Sequence, residues 1–138
     1  MAAVESYINI LKHEFDAEDG SFLIQLRCNF YWDKTAFERL IAAMKDCCEK
    51  NQENQLLERW LAEGYWFVQD FVEAHTSHPN FPKSHTPLYY EKAYERLKDL
   101  AYWFFTGESP YLEGKGFEPL EKLLEASNLF ENDFEETK

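Results

Sequence analysis

Apolar residues return every three or four positions through most of this chain, and that spacing most constrains what it can fold into. A helical turn takes about 3.6 residues, so such spacing paints one side of a helix, whereas a half-buried strand alternates with a period of two. Val4, Tyr7, Ile8, Leu11 and Phe15 make the first stripe. Phe37, Leu40, Ile41, Met44, Cys47 and Cys48 make another. Leu57, Trp60, Leu61, Gly64, Val68, Phe71 and Val72 share a face of the longest expected helix, over 55–75. Tyr90, Ala93, Tyr94, Leu97, Ala101 and Phe104 share a face of a helix expected over 88–105, with Glu91, Lys92, Glu95, Arg96, Lys98 and Asp99 as its solvated side.

The segments between stripes carry stop and start signals. Residues 16–20 interrupt the first pattern, and Gly20 is a natural break. Ser21 is placed to cap a helix bearing Phe22, Leu23 and Leu26, although 22–27 also reads as a short strand. Asp33 or Thr35 caps the next helix, Thr35 standing at capping-box spacing from Glu38. Three prolines within 77–87 exclude a helix there and stiffen the loop. Residues 106–116 read as a Gly/Pro loop, and Pro119 suits the first turn of a last short helix with Leu120, Leu123 and Leu124. Gly64, inside a helix, costs about 1 kcal/mol relative to Ala and is expected to admit a close helix neighbour. The expectation is an all-α, irregular bundle of about five or six helices, a single domain over 1–130 followed by an acidic, disordered tail over 131–138. A length of 138 residues suits one domain with a real core.

Charge narrows the partners. The formal net charge is −12, from 26 acidic and 14 basic residues. Binding nucleic acid relies on Lys and Arg at phosphates, and anionic membranes repel an acidic surface, so neither is an expected partner. A strong acidic field instead speeds encounter with a basic protein, besides keeping the chain soluble. Cys28, Cys47 and Cys48 are an odd number and include an adjacent pair, which speaks for reduced thiols and a cytoplasmic setting. The first residues lack a basic stretch followed by an apolar run, so no signal peptide is expected, and no apolar run reaches membrane-spanning length.

Few residues carry chemistry. His75, His78 and His85 gather near the proline loop, and with Asp70 or Glu73 they are the candidate ligands of a metal-dependent enzyme. Their spacing is neither HExxH nor a Cys/His zinc pattern, and a histidine near a helix C-terminus is also favoured by the helix dipole. No GxSxG or phosphate-binding loop occurs, and no cofactor is expected. Trp60, Phe71 and Phe104 could alternatively line a pocket for an apolar ligand. Aromatics reach 17% of the chain, and Tyr65, Trp66, Tyr89, Tyr102 and Trp103 fall off or beside the stripes. Either further helices cover them, or some stay exposed. Exposed rings beside acids, such as Tyr65 and Trp66 with Glu63 and Asp70, would suit a face for a basic partner.

The stretch over 67–91 reads FVQDFVEAHTSHPNFPKSHTPLYYE. Its apolar–acidic helix, the His78-Pro79 pair and the following Tyr89-Tyr90 pair resemble, in that order, the DNase-colicin immunity proteins. In that family the paired tyrosines and the acids of the preceding helix grip a basic bacterial toxin. The resemblance implies partner-binding roles for Tyr89, Tyr90, Asp70 and Glu73, to which the aromatic reading adds Tyr65 and Trp66. This chain is longer and its loop carries extra prolines, so the resemblance extends to the class of immunity-type toxin inhibitors rather than to one shared fold. The expected function is a small, acidic, cytoplasmic protein-binding domain that neutralises a basic partner, its oligomeric state open.

Overall fold

Three of the helices start where the sequence supplies a side-chain acceptor for their first amide groups. The structure, a computed structural model, describes residues 2–111 with Phe117 and Leu120, and side chains from Tyr7 onward. It contains α1 (Ala2–Phe15), α2 (Phe22–Asn29), α3 (Lys34–Asn51), α4 (Arg59–Thr76) and α5 (Pro87–Thr106). The first four N–H groups of a helix have no partner within it, so a side-chain oxygen at the N-cap is worth about 1 kcal/mol. Ser21 accepts from the Ile24 amide at 3.2 Å, which makes residues 22–27 helix rather than strand. Asp33, not Thr35, caps α3, accepting from Ala36 at 3.1 Å. Thr86 accepts from Tyr89 at 3.2 Å, with Pro87 in the first turn of α5.

The longest expected helix starts later than its apolar spacing implied. Asn54 closes a turn on Asn51 through both backbone and side chain, each bond 2.9 Å. Asparagine side chains compete in this way with helical hydrogen bonds. The chain therefore leaves α3 at Asn51 and re-enters helix at Arg59, with Leu57 still packed on the core.

Within the described residues the fold is all-α, with five helices and no strand. α3 packs against α1 on one side and α5 on the other, α5 packs against α4, and α4 returns to α1. α2 lies on α4, α1 and α3. The α1–α4 seam closes the ring where Gly64 meets Phe15: a Cβ on Gly64 would overlap the Phe15 ring. The close approach expected of this glycine is thus made by an aromatic side chain. The centre of the bundle is aromatic, with Trp32 ringed by Phe22, Phe37, Tyr89 and Tyr90 at 4.9–5.7 Å between ring centroids.

Two charged residues lie inside this core. Glu14 is fully buried and turns its carboxyl onto the start of α2, accepting from Phe22 at 2.6 Å and Leu23 at 3.4 Å. Position 14 lies three residues beyond Leu11 on the first stripe, so its placement was readable as an acid on an apolar face. Arg96, expected on the solvated side of α5, is 3% exposed. Its guanidinium stands 4.1 Å from the Phe117 ring centroid and 5.6 Å from that of Tyr111, because the segment after α5 covers it. The remaining expected helix at 119–124, apart from buried Leu120, and the tail over 131–138 lie outside the described residues.

Burial raises the Glu14 carboxyl above the ordinary range, outweighing its two amide bonds and the nearby positive charges of His13 and Arg39. A raised folded-state value means that the native protein holds this proton more tightly than the unfolded chain. The stability Glu14 contributes is full below the ordinary glutamate range and is lost as pH rises through its raised value. Denaturant unfolding of the natural protein and Glu14→Gln between pH 4 and 7.5 isolates the effect. The natural protein should lose stability relative to the variant as pH rises; a relative gain would show that the amide bonds outweigh burial.

Candidate functional site

The off-stripe aromatics divide into two groups. Tyr65, Tyr89 and Trp103 are 0%, 1% and 5% exposed, whereas Trp66 and Tyr102 are 58% and 52% exposed. The cause is hydroxyl and indole chemistry. A buried Tyr or Trp needs a partner for its polar atom, and an unmet one costs about 1–3 kcal/mol. Tyr65 donates to the Met44 carbonyl at 2.6 Å and stacks on Phe104, centroids 4.1 Å apart. Trp32 donates its indole N–H to the Tyr89 hydroxyl at 2.9 Å, and the Lys34 ammonium sits 4.7 Å from the Tyr89 ring centroid. Tyr90 is 3% exposed and accepts the backbone amides of Ser84 and His85 at 3.1 and 3.3 Å, tying the proline loop to α5. Tyr65, Tyr89 and Tyr90 are therefore core residues, which corrects the surface contact role expected of them.

The histidines are engaged separately. His75 bonds the Leu26 carbonyl at 2.9 Å through Nε2 and stacks between Phe71 and Phe30, 5.0 and 5.6 Å away. His78 accepts the Asn80 amide through Nδ1 at 3.1 Å. His85 packs on Tyr89 and Tyr90. Among the described residues no three His, Cys, Asp or Glu side chains stand together as a metal site, so the expected ligand trio does not converge. Burial pushes the Cys47 thiol up to about 11 and the Cys48 thiol up to about 12, which leaves both protonated and weakly nucleophilic at neutral pH. The three residues named for an apolar pocket do not share one cleft: Trp60 lines a cleft with Phe15, while Phe104 is packed flat on Tyr65 in the core. No helix among the described residues is long and apolar enough to cross a membrane.

The outer face of α4 is where exposed rings and acids coincide. Glu63 and Asp70 each stand three and four residues from the adjacent rings Trp66 and Phe67, and all four are exposed, Phe67 at 41%. Phe67 continues into a stack through Phe71, 5.1 Å away, to His75 and Phe30. Phe67 was missed in the sequence, although its place between Glu63 and Asp70 on the polar side of the helix was the available signal. Beside this face, Asp70 and Glu73 border a shallow groove that Lys98 also lines. An adjoining groove is lined by Glu73, Glu91, Tyr94, Glu95, Lys98 and Asp99. Lys98 pairs with Glu73 at 2.8 Å. Asp99 is held above the usual carboxylate range by burial and by the Glu95 charge beside it.

This division of rings has a measurable consequence. Tyr89→Phe should cost about 1–3 kcal/mol by stranding the Trp32 indole N–H, whereas Trp66→Ala should change stability by less than about 0.5 kcal/mol. Denaturant unfolding checks both, and equal losses would contradict the burial pattern.

Compared with protein-family models, curated proteins and solved structures, the chain matches none.

Proposed function

We propose that this chain is an acidic protein-binding domain of the immunity type, which neutralises a basic bacterial toxin in the cytoplasm by covering it with the outer face of α4. The observation that carries this reading is Trp66, 58% exposed on a helix face shared with Glu63, Phe67 and Asp70. Adjoining exposed apolar side chains, here Trp66 and Phe67, mark interaction surfaces more than single ones do, and tryptophan is among the residues that dominate binding energy at protein interfaces. The carboxylates bordering the two grooves between α4 and α5 extend the same sign of charge beside that ring. Complementary charge speeds encounter and sets orientation, and a few desolvated rings then supply most of the affinity. Of the residues first expected at the interface, Trp66, Asp70 and Glu73 remain in this reading, with Glu63 and Phe67 taking the places of the three buried tyrosines. The reading requires no catalysis.

The experiment is to read the gene directly upstream and to titrate its product against this chain by calorimetry; a neighbour that is not a secreted basic protein counts against the toxin part of the reading. Trp66→Ala should weaken binding by about tenfold or more. Asp70→Asn should slow association and reduce its salt dependence. Absence of binding, or affinity unchanged in both variants, would overturn this reading.

A further inference from the structure

The α1–α4 seam opens into a cleft of ≈ 270 Å³ lined by Phe15, Asp16, Trp60, Glu63, Gly64 and Phe67. Its floor exists because position 64 has no side chain: the Phe15 ring fills the space a Cβ would take. Its walls are aromatic. Trp60 stands edge-to-face with Phe15, centroids 6.2 Å apart, and its indole N–H donates to Glu58 at 2.5 Å, which fixes the ring. Its mouth carries the exposed carboxylates Asp16 and Glu63. The cleft falls just below the roughly 300–1,000 Å³ typical of pockets for whole small ligands, so its size suits one side chain rather than a cofactor. One of the chain's own cations already uses the wall: the Lys12 ammonium lies 5.7 Å from the Trp60 ring centroid.

We propose that this cleft is a receptor for one arginine side chain of a basic protein partner, its guanidinium against the aromatic walls and its N–H groups on Asp16 and Glu63. Charge complementarity selects the occupant, because the chain carries a net charge of −12 and both polar side chains at the mouth are acidic. Geometry favours arginine over lysine. A planar, weakly hydrated guanidinium stacks on rings and offers a fork of donors to carboxylates, whereas an ammonium is a compact and strongly hydrated point charge. Glu63 belongs to both this cleft and the exposed α4 face, so the cleft would anchor one edge of the interface proposed above, on which this inference rests.

The test is a nuclear magnetic resonance titration of the full chain with the tripeptide Gly-Arg-Gly, using neutral Gly-citrulline-Gly as the control. The arginine peptide should bind in the millimolar range and shift the Gly64 amide and the Trp60 indole N–H, and the citrulline peptide should not. Glu63→Gln and Asp16→Asn, both at exposed positions, should each weaken it several-fold. Lys12→Ala should tighten it by about threefold, because the competing cation leaves the ring. Equal binding of the two peptides, shifts confined to another surface, or no shift at all would overturn the proposal. Failure of the peptide, with Trp66-dependent binding of a basic protein partner intact, would reject the cleft alone and leave the α4 face standing.

Discussion

The hydrogen bond from the Trp32 indole to the Tyr89 hydroxyl is the contact on which the rest of the arrangement depends. Each group alone would be a liability at the centre of a helical bundle, since an unmet polar atom there costs more than a made hydrogen bond returns. Together, at 2.9 Å, they let two large rings be buried almost completely. Trp32 lies in the link between α2 and α3, and Tyr89 in the first turn of α5. The bond therefore joins segments distant in the chain, and Phe22 and Phe37 close around it. Tyr90 follows Tyr89 inward, and its hydroxyl is then in position to hold the loop before α5 through two backbone amides. With the tyrosine pair turned inward, the rings left exposed beside acids on α4 are Trp66 and Phe67.

Much of this was legible from spacing. The stripes through Leu11, Leu40, Met44, Val68, Val72, Leu97 and Phe104 are buried, and Ser21 and Asp33 cap the helices they precede. Periodicity reports which side of a helix is apolar and is silent where there is no helix. Trp32 sits in such a gap, so nothing in the spacing marked it as the centre of the core. Periodicity also sees one stripe per helix. α5 is covered by two neighbours, α3 and α4, so it buries Tyr89, Leu100 and Trp103 as well as its main stripe. Arg96 was read as solvated from its charge, but its guanidinium lies over aromatic rings that come from a later segment. Of the expected contact residues, Trp66 and Asp70 could be placed outside because their helix keeps a polar side. Tyr65 and Tyr89 could not be placed inside without knowing the Met44 carbonyl and the Trp32 indole that receive them.

The surface left by this packing has one chemical character. Acids outnumber bases by 26 to 14 along the chain, and the exposed rings of α4 stand among them. Charge of this sign and density resists self-association while drawing in a basic protein, and exposed rings give such an encounter something to bury. The α1–α4 seam adds a cleft to this surface, because Gly64 admits the Phe15 ring and leaves space beside it.

Hydroxyl-radical footprinting of the free protein, read residue by residue by mass spectrometry, tests the central claim most directly. The account predicts rapid modification of Trp66, Tyr31 and Tyr102, all more than half exposed, and protection of Trp32, Tyr65 and Tyr89 until the protein unfolds. Modification of Tyr89 as fast as that of Trp66 in the native protein would contradict it.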